Sequence, residues 1–408
     1  MCDAHRHCWQ NQFRRILCDV DSLATYMAST HGGIALHYRP DDIFVGNCVS
    51  MLGALDSGVT TVLDFSHNSR SPEHSDAAFR AYAEIGGRVV HASAPPNAGA
   101  WDGQWPGDIA RLAAANANPL ATVRLGVDMS ARWDTSAQLF AAARAMGVGI
   151  TVDGVCMGRP SSDAVRALGA AGALGADVTL IHGTDLADAA WEVIAQTGTR
   201  ITLAPTSDEQ IGIADGDPPI QKALDHGIRP SLSVDVEIAL STDMFSQMRA
   251  VLTTQRMQVA KRRYHGDPQA PAMITVRDVL EFATACGARD MGLGAVTGSI
   301  TPGKQADLVA ITAEDVNNFP LNNAAGTVVL GADTRNIELV MVAGEVKKWG
   351  GALVWGDRGL DHYRALARAS RDRIMAEAQF ELDVLSDGRG FPGGSPLNDL
   401  VEIAEIPT

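Results

Sequence analysis

Two hydrophobic rhythms alternate along the first part of the chain. Short runs rich in apolar and β-branched residues predict eight strands: "CDAHRH" (2–7), "GVTTVLDFSH" (58–67), "GRVVHASA" (87–94), "ATVRLGVDM" (121–129), "VGITVDGV" (148–155), "DVTLIHGT" (177–184), "RITLAPTS" (200–207) and "RPSLSVDVE" (229–237). Between them, stretches such as "SDAAFRAYAEIG", "SAQLFAAARAMG" and "SSDAVRALGAAGAL" are amphipathic at helical spacing. Several end in the glycine expected just past a helix C-terminus. Eight strands with helices between them predict an α/β fold, a (β/α)₈ barrel over residues 1–300. A doubly wound sheet is the other arrangement this alternation allows, but no glycine-rich phosphate loop follows the first strand.

The rhythm changes after about residue 250. A helical segment (275–293) leads into "GSITPGKQADLVAITA" (298–313) and then "TRNIELVMVAGEVKKWGGALV" (334–354). The last reads as two strands around the turn "AGE", closed at "WGGA". Residues 301–358 are therefore expected to form part of a small β-sandwich. Residues 359–408 are expected to form a C-terminal helix and a loose tail rich in Gly and Pro.

The barrel gives the polar positions a meaning, because such folds carry their chemistry at the C-terminal ends of the strands. His5 and His7 lie two apart on the first strand and so share a face, which suits a metal ion. His67 ends the second strand, Asp153 lies near the end of the fifth, His182 near the end of the sixth and Asp235 near the end of the eighth. Trp9, Gln10 and Gln12 follow the histidine pair and are candidates for the pocket wall, with His67. Glu209 and Gln210, in the loop "TSDEQIGIADGDPP" expected after strand seven, are candidates to read a polar substrate group. Met244, Phe245 and Met248 fall at helical spacing and read as packing; Arg249 reads either as a carboxylate binder or as a surface ion pair.

Composition narrows the partners. The 408 residues carry a formal net charge of −15 and no basic stripe, which argues against nucleic acid and anionic membrane surfaces. A small-molecule substrate is expected instead. Six scattered cysteines without a CxxC pair read as reduced thiols. With no signal-peptide pattern at the start and no run of 18 apolar residues, a cytoplasmic location is expected.

The "DAHRH" opening, the "IHGTDL" strand and the "VDVE" strand end resemble the metal-dependent amidohydrolase superfamily. The most specific piece, "ATACGARDMGLGAVTGSITPGKQADLVAI", is similar to the closing segment of its cytosine deaminase and chlorohydrolase branch. The resemblance spans roughly residues 2–355. It implies a mononuclear zinc or iron site held by the His-x-His pair, a histidine of strand five and the aspartate of strand eight, with a histidine of strand six assisting the bound water. Residue by residue, His5, His7, His182 and Asp235 match. Asp153 stands where the family has histidine, and Cys156 stands where its deaminases have a proton-shuttling glutamate.

These departures shape the expectation. One divalent metal is expected at His5, His7, Asp235, His182 and Asp153, zinc first, with the harder donor set admitting iron or manganese. The alternative is a site that has lost its metal. Asp235 and His182 are the expected catalytic pair, and hydrolysis of a C–N bond in a small cyclic amide, imide or amidine is the expected reaction. Deamination or dechlorination of a nitrogen heterocycle is one alternative. A metal-free barrel that binds, isomerises or cyclises its ligand is the other. Family members begin with strands forming half of the sandwich, whereas this chain opens inside strand one. An apolar sandwich face left open this way is expected to be covered by a partner copy, making a homo-oligomer, a dimer or higher.

Overall fold

A computed structural model describes residues 1–391 except 129–135, 215 and 357; Met129 of the predicted fourth strand and residues 392–408 of the predicted tail lie outside the described residues. All eight predicted strands are present: β1 (Cys2–Arg6), β2 (Thr61–Ser66), β3 (Arg88–Ser93), β4 (Ala121–Asp128), β5 (Gly149–Val155), β6 (Val178–His182), β7 (Arg200–Leu203) and β8 (Ser231–Leu232). They form one parallel sheet in sequential order. Strand β8 is shorter than its sequence pattern, yet the pairing continues beyond it. Arg6 bridges to Asp235, the His7 N–H donates to the Asp235 carbonyl at 3.0 Å, and the Asp235 N–H donates to the His5 carbonyl at 3.0 Å. These bonds draw the first strand to the last and bring the sheet round into a barrel.

The strands are buried along nearly their whole length, as expected when helices cover a parallel sheet on the outside. Helices Pro40–Asp56 and Pro72–Ile85 both begin with proline in the first turn, where its missing N–H costs nothing. The second ends at Gly86, whose φ of 75° supplies the left-handed C-terminal turn.

A second sheet is antiparallel, built from β9 (Leu308–Ile311), β10 (Ile337–Val342), β11 (Glu345–Trp349) and β12 (Ala352–Leu353), in the order β12-β11-β10-β9. Ala343 and Gly344 turn between β10 and β11 with φ of 50° and 90°, the positive pair that two-residue hairpins use. Arg88 on β3 clamps this sheet to the barrel through two bonds to Asp307, at 2.7 and 2.9 Å. The C-terminal helix Leu360–Glu377 packs on Pro40–Asp56, where Ser370 and Arg373 both reach Asp42. The described part of the tail is largely exposed but touches the rest of the fold at two points. Gly388 accepts from the Asp19 N–H at 3.1 Å, and Phe391 stacks on Phe380 at 4.6 Å. No helix among the described residues is long and apolar enough to cross a membrane.

Candidate functional site

Alternation along β1 puts His5 and His7 on one inward face at the end of the barrel where the strands finish, their rings 4.6 Å apart and edge to face. Asp235 meets both: its Oδ1 lies 3.2 Å from Nε2 of His5 and 3.2 Å from Nε2 of His7. Asp153 arrives from β5, with Oδ2 at 3.6 Å from His5 and 3.5 Å from His7. Its Oδ1 lies 3.5 Å from Nε2 of His182. Five side chains from four strand ends therefore converge on one point, each of them buried.

Their outer atoms are held in place. The His7 Nδ1–H donates to the Phe65 carbonyl at 3.2 Å, which turns Nε2 toward the cluster. His182 is held the same way, its Nδ1–H donating to Oδ1 of Asp208 at 2.8 Å, while Thr184 donates to the other oxygen. Ser207 donates to Oδ2 of Asp235 at 2.5 Å. His182 and Asp235 themselves sit at φ of 72° and 67°, a left-handed conformation that ordinary residues rarely take. Backbone strain of this kind concentrates where a side chain must be aimed at a point its strand would not otherwise reach.

The electrostatics follow from this crowding. Burial alone would push the Asp153 carboxyl up, but His5, the bond to His182 and His7 outweigh it and hold the group below the usual carboxylate range. The same contest holds Asp235 well below that range, through His5 and His7. Burial opposes charge on His182 too, yet Asp208 and Asp153 carry its pKa well above that of a free histidine. His7 is raised by Asp235 and Asp153 against the same burial cost.

The donor set suits a divalent cation. His5 is fully buried, yet its Nδ1 has no hydrogen-bond partner among the described residues and the approach of its Nε2 to Asp235 is not aligned as a hydrogen bond. A dry imidazole without bonds is costly unless something electrophilic completes it. Nitrogens from His5 and His7 and an oxygen from Asp235 lie within 4.8 Å of one another, as do ligand atoms of His7, His67 and Asp153. Imidazole and carboxylate ligands are those of zinc, iron and manganese.

The remaining candidates divide. Trp9 and Gln10 are buried beside the cluster, with Trp9 Nε1 bonded to His67 Nδ1 at 3.1 Å and Gln10 Nε2 bonded to the Tyr26 hydroxyl at 2.7 Å. His67 stacks on His7 with ring centroids 4.2 Å apart. Gln12 is turned away to the Asp42 carbonyl and the Ser370 hydroxyl. Glu209 and Gln210 are not brought to the cluster. They are exposed and bond Thr254 and the Cys18 carbonyl instead. The stretch expected to be a loop is a helix, Pro205–Ile211, whose 100° step per residue points Ser207 and Asp208 inward and the next two outward. Arg249 is occupied with the carbonyls of Val329 and Ala332, and Met244, Phe245 and Met248 are buried packing.

Two functional neighbours escaped the sequence reading. Asp208 was signalled only by Pro205 and Gly212, which mark the start and end of its helix. His31 follows helix Leu23–Thr30, is 2% exposed, and meets the His67 ring edge-on at 4.5 Å with its Nε2 unpartnered among the described residues. Burial draws its pKa down to about 3, with His7 adding to the effect. No residue pattern near "STHGG" marks it.

With the barrel and its polar centre in view, the class is clear: the chain belongs to the amidohydrolase family, whose model matches residues 1–347. Among curated proteins it is 27% identical over 172 residues to a 5-methylthioadenosine/S-adenosylhomocysteine deaminase of Acetivibrio thermocellus, covering 42% of this chain and 38% of that one. It is 29% identical over 184 residues to a 5'-deoxyadenosine deaminase of Methanothermobacter thermautotrophicus, covering 45% and 40%. These matches span about two-fifths of the relatives' length. The fold matches a zinc-bound adenosine deaminase from Xanthomonas campestris at a TM-score of 0.78 and 19% identity, over 92% of this chain and 84% of the other. It also matches an atrazine chlorohydrolase from Arthrobacter aurescens, complexed with zinc and atraton, at 0.75 and 18% identity, over 90% and 86%.

Proposed function

We propose that this chain is a metal-dependent hydrolase that opens a C–N bond of a small cyclic amide, imide or amidine. The observation that carries the reading is the convergence of His5, His7, Asp153, His182 and Asp235 at the strand ends. His5, His7, Asp153 and Asp235 would hold one divalent ion, with His182 as a fifth donor or as the group beside it. When bound, such an ion supplies Lewis acidity and brings the pKa of water toward neutrality.

The chain's own groups divide the remaining work. Asp235, ionised and oriented by Ser207, accepts a proton from the attacking water and returns it to the leaving nitrogen. His182, kept protonated by its acidic neighbours Asp208 and Asp153, presents its Nε2–H to the substrate's oxygen and supports the negative charge that develops there. Cys156, three residues after Asp153, is buried, and burial pushes its thiol up to about 12. A neutral thiol is a poor proton shuttle to a ring nitrogen, which favours ring opening over deamination.

The second reading is deamination or dechlorination of a nitrogen heterocycle; the deaminase relatives favour the former. One experiment separates the two. Protein purified without added metal is assayed for zinc, iron and manganese, then offered cyclic amides, imides, adenosine analogues and chlorinated triazines. Ring-opened acid supports the proposal, and ammonia or chloride supports the second reading. A metal-free protein with chelator-insensitive turnover overturns both.

A further inference from the structure

His67 is wired the opposite way to its neighbours. Its Nδ1 lies 3.1 Å from the indole nitrogen of Trp9, and an indole N–H can only donate. Nδ1 must therefore carry the lone pair, and the ring's proton sits on Nε2. His7 and His182 donate from Nδ1 to Phe65 and Asp208 and so turn Nε2 inward. Yet His67 stacks flat on His7, and one of its nitrogens lies within 4.8 Å of ligand atoms on His7 and Asp153. By distance alone these three residues would be a second metal position.

We propose that His67 is no metal ligand but a fixed Nε2–H donor, set by Trp9, that recognises a hydrogen-bond-accepting atom of the substrate, a carbonyl oxygen or ring nitrogen beside the scissile bond. For Nε2 to bind a metal, the indole N–H of the fully buried Trp9 would have to lose its acceptor on His67. The His31 ring meets His67 edge-on and restricts its tilt, so the donor direction is held from two sides. Trp9 is a positioning residue here; His67 is the residue that touches substrate. This assignment rests on the proposed reading of the site as one for a small polar substrate.

The test uses the full chain with ¹⁵N-labelled histidine and zinc as the probe. Long-range ¹H–¹⁵N spectra are expected to show His67 as the Nε2–H tautomer, with and without zinc. Trp9→Phe, which keeps the ring but removes the donor, is expected to shift His67 toward the other tautomer. Zinc stoichiometry is expected to stay unchanged in His67→Gln, whose amide nitrogen falls near the Nε2 position. An Nδ1–H tautomer in the parent protein, or a second zinc equivalent that disappears in His67→Gln, overturns the assignment. Absence of any zinc binding would instead sink the hydrolase reading, while the tautomer would still report on the Trp9–His67 bond.

Discussion

His182 and Asp208 form a 2.8 Å hydrogen bond across the barrel end, joining the last residue of β6 to the helix that follows β7. Thr184 holds the second carboxylate oxygen, so neither partner is free to rotate. Asp208→Asn keeps the size and loses the charge that raises His182. Turnover should fall about 10- to 100-fold, the usual cost of losing such an orienting carboxylate. Zinc content should change far less. Steady-state kinetics beside elemental analysis check this, and an unchanged kcat would remove Asp208 from the working site.

Asp153 is the departure that most affects the metal. Its two oxygens face three histidines, a placement with no purpose in a merely structural carboxylate. Asp153→Ala should weaken zinc binding by at least about 100-fold, more than the loss of a group that only orients a ligand. Asp153→His should restore it and shift preference from manganese toward zinc, since imidazole is the softer ligand. Competition against a fluorescent zinc chelator measures both. Equal affinity in parent and Asp153→Ala would leave the ion to the remaining four groups.

The barrel and most of the polar centre were readable because strand alternation is local. His5 and His7 share a face by covalent geometry alone, and Asp235 stands at a strand end whichever helices follow. Asp208 and His31 were not readable, because each depends on how a segment folds back over the barrel. Glu209 and Gln210 show the cost of reading a helix as a loop. Both lie next to the inward pair, and a single step of about 100° round the helix separates a buried residue from a surface one. The left-handed backbone at His182 and Asp235 leaves no trace in composition, since neither position is glycine.

Proton competition should govern loading. Burial lowers the pKa values of His7 and His182, but the acidic neighbours win and both lie above the ordinary value of about 6.5. The raised values mean that a cation must compete with protons for these rings. Zinc uptake should therefore release protons, and apparent affinity should rise as pH rises above about 6.5. Titration calorimetry in two buffers of different ionisation enthalpy counts the protons. The same shift predicts that His182 stabilises the metal-free fold below about pH 6.5, a contribution lost as pH rises through its raised folded value. Thermal melts of chelated protein across that range check the sign.

Arg88 and Asp307 couple the two sheets through a nearly dry pair, 3% and 1% exposed. Burial would push the Asp307 carboxyl up, but the bond from Arg88 and the Ala343 N–H bring it below the usual range. Removing one partner strands a buried charge, so Asp307→Ala should cost about 3–5 kcal/mol. Arg88 also reaches Gln305, so part of its hydrogen bonding survives the substitution and the loss should fall at the lower end. A folded carboxyl depressed in this way contributes stability above its unfolded pKa of about 3.9 and loses it as pH falls through the folded value. The parent should therefore lose stability faster than Asp307→Ala on acidification below about pH 4, and the two melting curves should converge. Because Arg88 lies at the opposite end of β3 from the buried histidine–aspartate cluster, zinc content should be unchanged in the variant. A variant that lost metal with its stability would mean that the small sheet supports the site as well as the fold.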